Sequence, residues 1–349
     1  MTTCRQRAAL LLLAATAGSA WAQAPGPNNA ITDVPGISVG HYTGADAGTT
    51  VVIGSSTAGQ GVGGGVTQRG GSPITRETDL MRPDNMVETM NAIVLGGGSA
   101  FGVSAASGVM RCLEGKGVGF PVGGPNVVPI VPTVTTFDRA TCGGPPASRP
   151  DFNAGVQACM AAAGGAVAGS VKGGIGTASV VLPNGIIVGA IVAVNSEGTP
   201  YNSDGDLRGA SFGIGTEFSV LTKAGGKANK VPASLPGGPL RSGTNAVVAT
   251  NVALTKSQAT KIAEMADDGI SRAIDPAHTA GDSDTLFVLG TARVALANFG
   301  DEASVVTQIG SAAGDVVSRA IVHAVLAAQS TSCQQSYCDV FRSACKNGR

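Results

Sequence analysis

Short apolar and β-branched runs, punctuated by glycine, set the rhythm of the chain. Residues 37–39 and 49–53 predict strands joined by turns. Residues 92–95 predict another strand, followed by Gly96-Gly-Gly-Ser99 and a helix over 99–114 with Val103, Val109, Met110 and Leu113 as its apolar positions. Residues 127–134 are apolar but carry Pro129 and Pro132, which predicts an edge strand or an extended loop. A short helix is expected near 153–163. The most legible hairpin pairs 178–182 with 186–194 across Pro183-Asn-Gly185, where Asn-Gly supplies the positive φ of a tight turn. Residues 246–249 read as a buried strand. Thr255-Lys-Ser-Gln258 reads as a capping box opening a helix towards 274, before a strand at 286–289 and a long helix over 302–328. This order predicts a layered α/β domain with helices packed on mixed sheets.

The ends read differently. Arg5 and Arg7, an apolar run at 8–17 and Ala20-Trp-Ala22 form a cleavable signal peptide, 1–22, so Gln23 begins the mature chain and the periplasm or the cell exterior is its expected place. Residues 23–329 are long enough for one large core. Residues 330–349 carry Cys333, Cys338 and Cys345 and look like an added stapled tail. Cys112, Cys142 and Cys159 complete the mature set, and Cys142 with Cys159 is a possible pair across the loop at 141–150. The irregular spacing argues against a zinc or thioredoxin-like site. Charged residues make up 13% of the chain and the formal net charge is zero, without a Lys/Arg cluster, so neither nucleic acid nor a membrane surface is an expected partner. The 52 glycines follow no Gly-X-Y period and suit tight turns and close packing instead. The densest stretch, 59–71, lacks the Gly-Lys-Ser/Thr ending of a P-loop and reads as a packing or substrate-side loop.

The candidate chemistry centres on Thr244. A Gly- and Pro-rich loop ends at Gly243-Thr244, immediately before the 246–249 strand. A threonine hydroxyl is a weak nucleophile, but cleavage before Thr244 would place an α-amine on the same residue to act as its base. Taken alone, Gly-Thr before a strand is also ordinary turn chemistry. Lys172, in Lys172-Gly-Gly-Ile-Gly-Thr-Ala-Ser179, is either a solvated loop charge or a catalytic neighbour, and Asn195 ends the second hairpin arm. Asp282 and Asp284 either cap turns or bind an amine; too few further acids or histidines lie nearby for a calcium or zinc shell. His41 and His323 read as structural or solvated. Gly96-Gly-Gly-Ser-Ala-Phe-Gly102 resembles a nucleophile elbow in layout, but Phe101 occupies the position of its last glycine.

Several motifs in one order carry a resemblance. Residues 29–41 (Asn-Ala-Ile-Thr-Asp-Val-Pro-Gly-Ile-Ser-Val-Gly-His), 75–80, 92–102, 172–179 and 247–250 resemble the self-processing DmpA-type aminopeptidases, a family that includes β-aminopeptidases, L-aminopeptidase/D-esterases and nylon-oligomer hydrolases. The resemblance spans roughly 29–328 and implies a four-layer αββα sandwich like that of N-terminal nucleophile hydrolases, with self-cleavage into 23–243 and 244–349 and assembly as a homo-oligomer. It makes Thr244 the nucleophile, Lys172 and Asn195 its neighbours, and Asp282 with Asp284 the acids near the free amine, acting on a small peptide or amide without a cofactor. Relative to the family, Thr244 stands one residue late before Thr250, which leaves Ser242 as the alternative nucleophile. Asp-Ser-Asp replaces the Ser-x-Glu of peptide-cleaving relatives and is closer to the nylon-oligomer branch. A non-catalytic secreted binding protein and an acyltransferase resembling ornithine acetyltransferases are the competing readings.

Overall fold

The computed structural model describes residues 23–44, 47–57, 61–137, 149–160, 167–168, 171–225, 243–331 and 335–345, with the main chain alone at 167–168 and 171–172. In chain order the first strands are β1 (Ile37–Thr43), β2 (Gly48–Gly54), β3 (Val62–Gln68), β4 (Thr75–Arg76), β5 (Thr89–Met90), β6 (Ala92–Gly96), β7 (Phe120–Gly123), β8 (Asn126–Val128) and β9 (Thr133–Thr135). They are followed by β10 (Val167–Ala168), β11 (Val171–Lys172), β12 (Ile175–Val181), β13 (Ile187–Ala193), β14 (Asn245–Val252) and β15 (Thr285–Val294). The α-helices are α1 (Ala105–Glu114), α2 (Phe152–Ala158), α3 (Lys256–Ala273), α4 (Glu302–Ala327) and α5 (Tyr337–Val340).

A six-stranded sheet runs β12-β13-β14-β15-β3-β5 and a five-stranded sheet β1-β2-β6-β9-β4. Successive strand residues face opposite sides, and β14 uses both. Ala246 and Val248 pack outward with Ile262 and Ile270 of α3 and Val317 and Ile321 of α4. Val247 and Ala249 face inward, with Phe287 and Leu289 of β15, and meet Val52, Ile93, Leu95 and Val134 of the second sheet. On that sheet's far side, Val51 and Val94 pack against Val109 and Leu113 of α1 and Ala158 of α2. The layers are therefore αββα. Each fully buried Val, Leu, Ile or Phe in them contributes about 1.5–3 kcal/mol.

Local chemistry explains the helix starts and close approaches. Thr255 and Gln258 form the expected capping box, Thr255 Oγ1 accepting from Gln258 N at 3.2 Å and Gln258 Oε1 from Thr255 N at 2.8 Å. Residues 62–68, expected as part of a glycine-rich loop, are strand β3. A Cβ on Gly65 would lie 2.2 Å from the amide of Thr260, so glycine there lets α3 sit on the sheet. Long and apolar enough to cross a membrane, α4 is mostly buried inside the fold.

Two other expectations change. Residues 127–134 are not one edge segment: Asn126–Val128 closes a small hairpin with β7, and after the prolines β9 enters the interior of the five-stranded sheet between β6 and β4. Cys159 pairs with Cys112, joining α2 to α1, rather than with Cys142, which lies outside the described residues. His41 sits on β1 with its Nδ1 3.0 Å from Thr50 Oγ1 of β2, a structural contact. In the tail Cys338 is bonded to Cys345, and Tyr337, Val340 and Phe341 enter the core under α4. Cys333 lies outside the described residues.

Candidate active site

The register of the six-stranded sheet brings distant residues to one end of β14. Asn245 lies opposite Ala193 of antiparallel β13 on one side and Thr285 of parallel β15 on the other. Asn195, just past Ala193, and Asp284, just before Thr285, are thereby carried to the same end as Thr244. On the other side of β15, antiparallel β3 places Gln68 opposite Thr285 and delivers Arg69 there too. Val194 N donates to Gly174 O at 2.9 Å, so the main chain leading from Lys172 also reaches this end. The side chain of Lys172 and the whole of Ser242 lie outside the described residues.

Thr244 is fully buried. Its amide donates to Asp284 Oδ1 at 2.6 Å, and its Oγ1 has no hydrogen-bond partner among the described residues. Burying a hydroxyl without a partner costs about 1–3 kcal/mol, so such atoms require an explanation. Gly243 has φ +112°, and a Cβ there would lie 2.1 Å from Ser283 Oγ and 2.7 Å from Ser283 N. Only glycine fits the residue before Thr244 without movement of the turn at 282–284. Asn245 ties that turn to β14, its Nδ2 donating to Ser283 Oγ at 3.3 Å and its Oδ1 accepting from Thr285 N at 3.1 Å.

The two aspartates have different surroundings. Asp282 accepts from the amides of Thr279 at 3.0 Å and Glu197 at 3.3 Å, joining its own turn to the segment after β13. Burial, reinforced by the charge of Asp284, pushes its carboxyl above the usual carboxylate range. Asp284 reaches Thr244 directly: Oδ1 accepts from Thr244, while Oδ2 accepts from the His278 amide and from its Nδ1, both at 2.9 Å. The other ring nitrogen of His278 lies 3.1 Å from Asp267 Oδ2, and Arg69 Nε lies 3.4 Å from that oxygen. Burial works against charge on the imidazole, but the hydrogen bonds and charges of Asp267 and Asp284 outweigh it and push the His278 pKa up to about 9.

His278, Asp267 and Arg69 were not singled out from sequence. A signal existed for Asp267: it occupies the buried stripe of α3 beside Ala263, Ala266 and Ile270, where a carboxylate requires a partner. His278 and Arg69 lie in turns, where spacing carries no such information.

Among the described residues no group of three or more His, Cys, Asp or Glu is placed to hold a metal ion. A cavity of about 630 Å³, lined by Gln23, Leu182, Asn184, Thr307 and Gln308, lies at the hairpin-turn end of β12 and β13, away from Thr244, and is not this site.

The fold is thus an αββα sandwich with its candidate site at the end of a central strand of the six-stranded sheet. The family model for peptidase family S58 matches residues 29–338, and the chain belongs to that family. It is 39% identical to an uncharacterized aminopeptidase of Mycobacterium leprae (strain TN), over 90% of this chain and 95% of that protein. An uncharacterized aminopeptidase of Mycobacterium tuberculosis (strain ATCC 25618 / H37Rv) is also 39% identical, over 90% and 98%. Among solved structures, a Burkholderia sp. β-aminopeptidase superposes with TM-score 0.62 at 22% identity, over 93% of this chain and 92% of that one. The L-aminopeptidase D-Ala-esterase/amidase of Ochrobactrum anthropi, described as a new variant among the Ntn hydrolase fold, gives TM-score 0.59 at 19% identity, over 90% and 91%. The chain is a hydrolase of the peptidase class.

Proposed function

We propose that this chain is an exported aminopeptidase or amidase that cuts itself between Gly243 and Thr244 and then uses Thr244 as an N-terminal nucleophile. The observation that carries the reading is the placement of Thr244: buried at the mouth of a central strand, its nitrogen held by Asp284, its hydroxyl without a partner among the described residues, and preceded by a glycine at φ +112°. In self-cleavage Thr244 Oγ attacks the Gly243 carbonyl and the C–N bond breaks. The hydroxyl proton ends on the departing nitrogen, and water hydrolyses the resulting ester to free the Gly243 carboxylate. In turnover the Thr244 amine takes the hydroxyl proton, Oγ attacks an amide or ester carbonyl of a small peptide, β-peptide or amino-acid amide, and water releases the acyl group. Asp284 orients the amine. Asn195 donates to the developing oxyanion, a role worth about 2.7–4 kcal/mol in a comparable hydrolase. Lys172, from the strand end nearby, holds Oγ and favours the neutral amine by its charge. Asp282 shapes the turn that carries Asp284 and so bounds the space for the amino end of the substrate.

The leader at 1–22 supports removal on export and a periplasmic or secreted mature chain. Homo-oligomer formation fits the exposed Phe120, Val122 and Val128 of the β7–β8 hairpin. A denaturing gel with N-terminal sequencing of the purified protein tests the reading. Two fragments, one beginning at Thr244, with hydrolysis of an amino-acid anilide, are expected. A single intact, inactive band would instead favour a secreted binding protein that keeps the fold. Thr244→Ala should remain uncut and inactive while Ser242→Ala still processes; the reverse would move the nucleophile to Ser242.

A further inference from the structure

The line of polar groups does not stop at Asp284. From Thr244 N it runs through both oxygens of Asp284 to the two nitrogens of His278, and from there to Asp267 and Arg69. We propose that His278, anchored by Asp267, is a positioning residue for the nucleophile: it fixes Asp284 against Thr244 and offsets the charge of that carboxylate, so that the freed Thr244 amine stays available as a base. The inference rests on Thr244 being the nucleophile.

The need for such a group follows from electrostatics. A bare carboxylate at 2.6 Å from the nitrogen would stabilise the ammonium form and raise the pH at which the amine becomes neutral, which opposes its use as a base. An imidazolium on the other carboxylate oxygen counters this without displacing the amine. The groups facing His278 favour its charge: Asp284 in the turn before β15 at 2.9 Å, and Asp267 on α3 at 3.1 Å. Ser271 Oγ on α3 lies 2.9 Å from the same Nε2. Arg69, after β3, is shared between Asp267 and the exposed Asp268, both at 3.4 Å, and Asp282, in the same turn as Asp284, feels the charge of Asp284.

The backbone supplies a clean variant. His278 has φ +57°, where glycine is unstrained, so His278→Gly removes the ring and retains the amide that donates to Asp284 Oδ2. The α-amine of Thr244 is titrated in the processed protein by competitive labelling with acetic anhydride and mass spectrometry of the Thr244 peptide, and compared with the acid limb of kcat/KM on alanine p-nitroanilide. In His278→Gly both should move to higher pH by about one unit, and added imidazole should return them towards the wild-type values. Asp267→Asn, which weakens the hold on the imidazolium, should shift them the same way by less, and it serves as the test if His278→Gly fails to fold. A folded His278→Gly chain that stays uncut supports the assignment if imidazole restores cleavage and overturns it if imidazole does not. Titration unchanged from wild type in a processed variant overturns it as well. A wild-type chain that is never cut before Thr244 would have no such amine, and it is then the proposed function that fails.

Discussion

A side chain at position 243 would meet Ser283 from two directions while its backbone sat at φ +112°, so the residue before Thr244 is constrained by sterics as well as by chemistry. Gly243→Ala should cost about 1–3 kcal/mol of local strain and, by displacing the carbonyl that Oγ must reach, slow self-cleavage at least about tenfold. A time course of the two fragments on a denaturing gel reads this directly; cleavage at the wild-type rate would mean that the contact with Ser283 does not align the bond. His278 makes a separate prediction about stability. Its folded pKa, about 9, lies above the ordinary value of 6.5, so the stabilisation is complete below about pH 6.5 and is lost as pH rises through 9. The thermal midpoint of the wild type should therefore fall more between pH 7 and pH 10 than that of His278→Gly, and equal falls would remove this role from the histidine.

Among the elements, α4 carries a buried cation that no periodicity argument finds. Arg319 is 1% exposed and donates to Glu217 at 2.7 and 2.9 Å, to the carbonyl of Ser179 and to Asn29 Oδ1, while His323 reaches the same glutamate at 2.8 Å. Burial disfavours the charge on Glu217, but its bonds from His323, Arg319, the Ile214 amide and Asn29 hold its carboxyl well below the usual range. The stabilisation it gives is present above the ordinary carboxylate pKa and is lost as pH falls. Glu217→Gln leaves the guanidinium without its countercharge and should cost about 3–5 kcal/mol, read as a lower denaturant midpoint with a similar slope. The helices and the hairpin were legible because their signals are local: the Thr255 box, the Asn-Gly turn and the apolar stripes of α3 and α4. Strand β3 was not, since Val62-Gly-Gly-Gly-Val66 has the composition of a loop and is a strand through its long-range pairing with β15 and β5, its glycines leaving room for α3. The position of β9 was hidden by Pro129 and Pro132, which end one strand and leave the next free to enter the sheet. At the site, Thr244, Asn195 and Asp284 stand where strands begin or end, and the resemblance of the motifs around them supplied their expected roles, whereas His278 depends on a turn whose shape no spacing encodes.

Cleavage before Thr244 would divide the chain without dividing the fold. The six-stranded sheet takes β12 and β13 from the part before the cut, then β14 and β15 from the part after it, then β3 and β5 from the part before again. The second fragment thus supplies the two central strands, bonded to the first fragment along both edges through β13 and β3. Its helices are equally interleaved, α4 packing on β12 and β13 and α3 on β3. Alone, the segment 244–349 would expose Val247, Ala249, Phe287 and Leu289, whose inward partners Val52, Ile93, Leu95 and Val134 all belong to 23–243. The processed protein should therefore run as one species in gel filtration under native conditions, separate only in denaturant, and lose both fragments' secondary structure in a single transition whose midpoint is the same by circular dichroism and by intrinsic fluorescence. Release of a folded 244–349 fragment at a denaturant concentration that leaves 23–243 intact would show that the interleaved sheet is not the unit of stability.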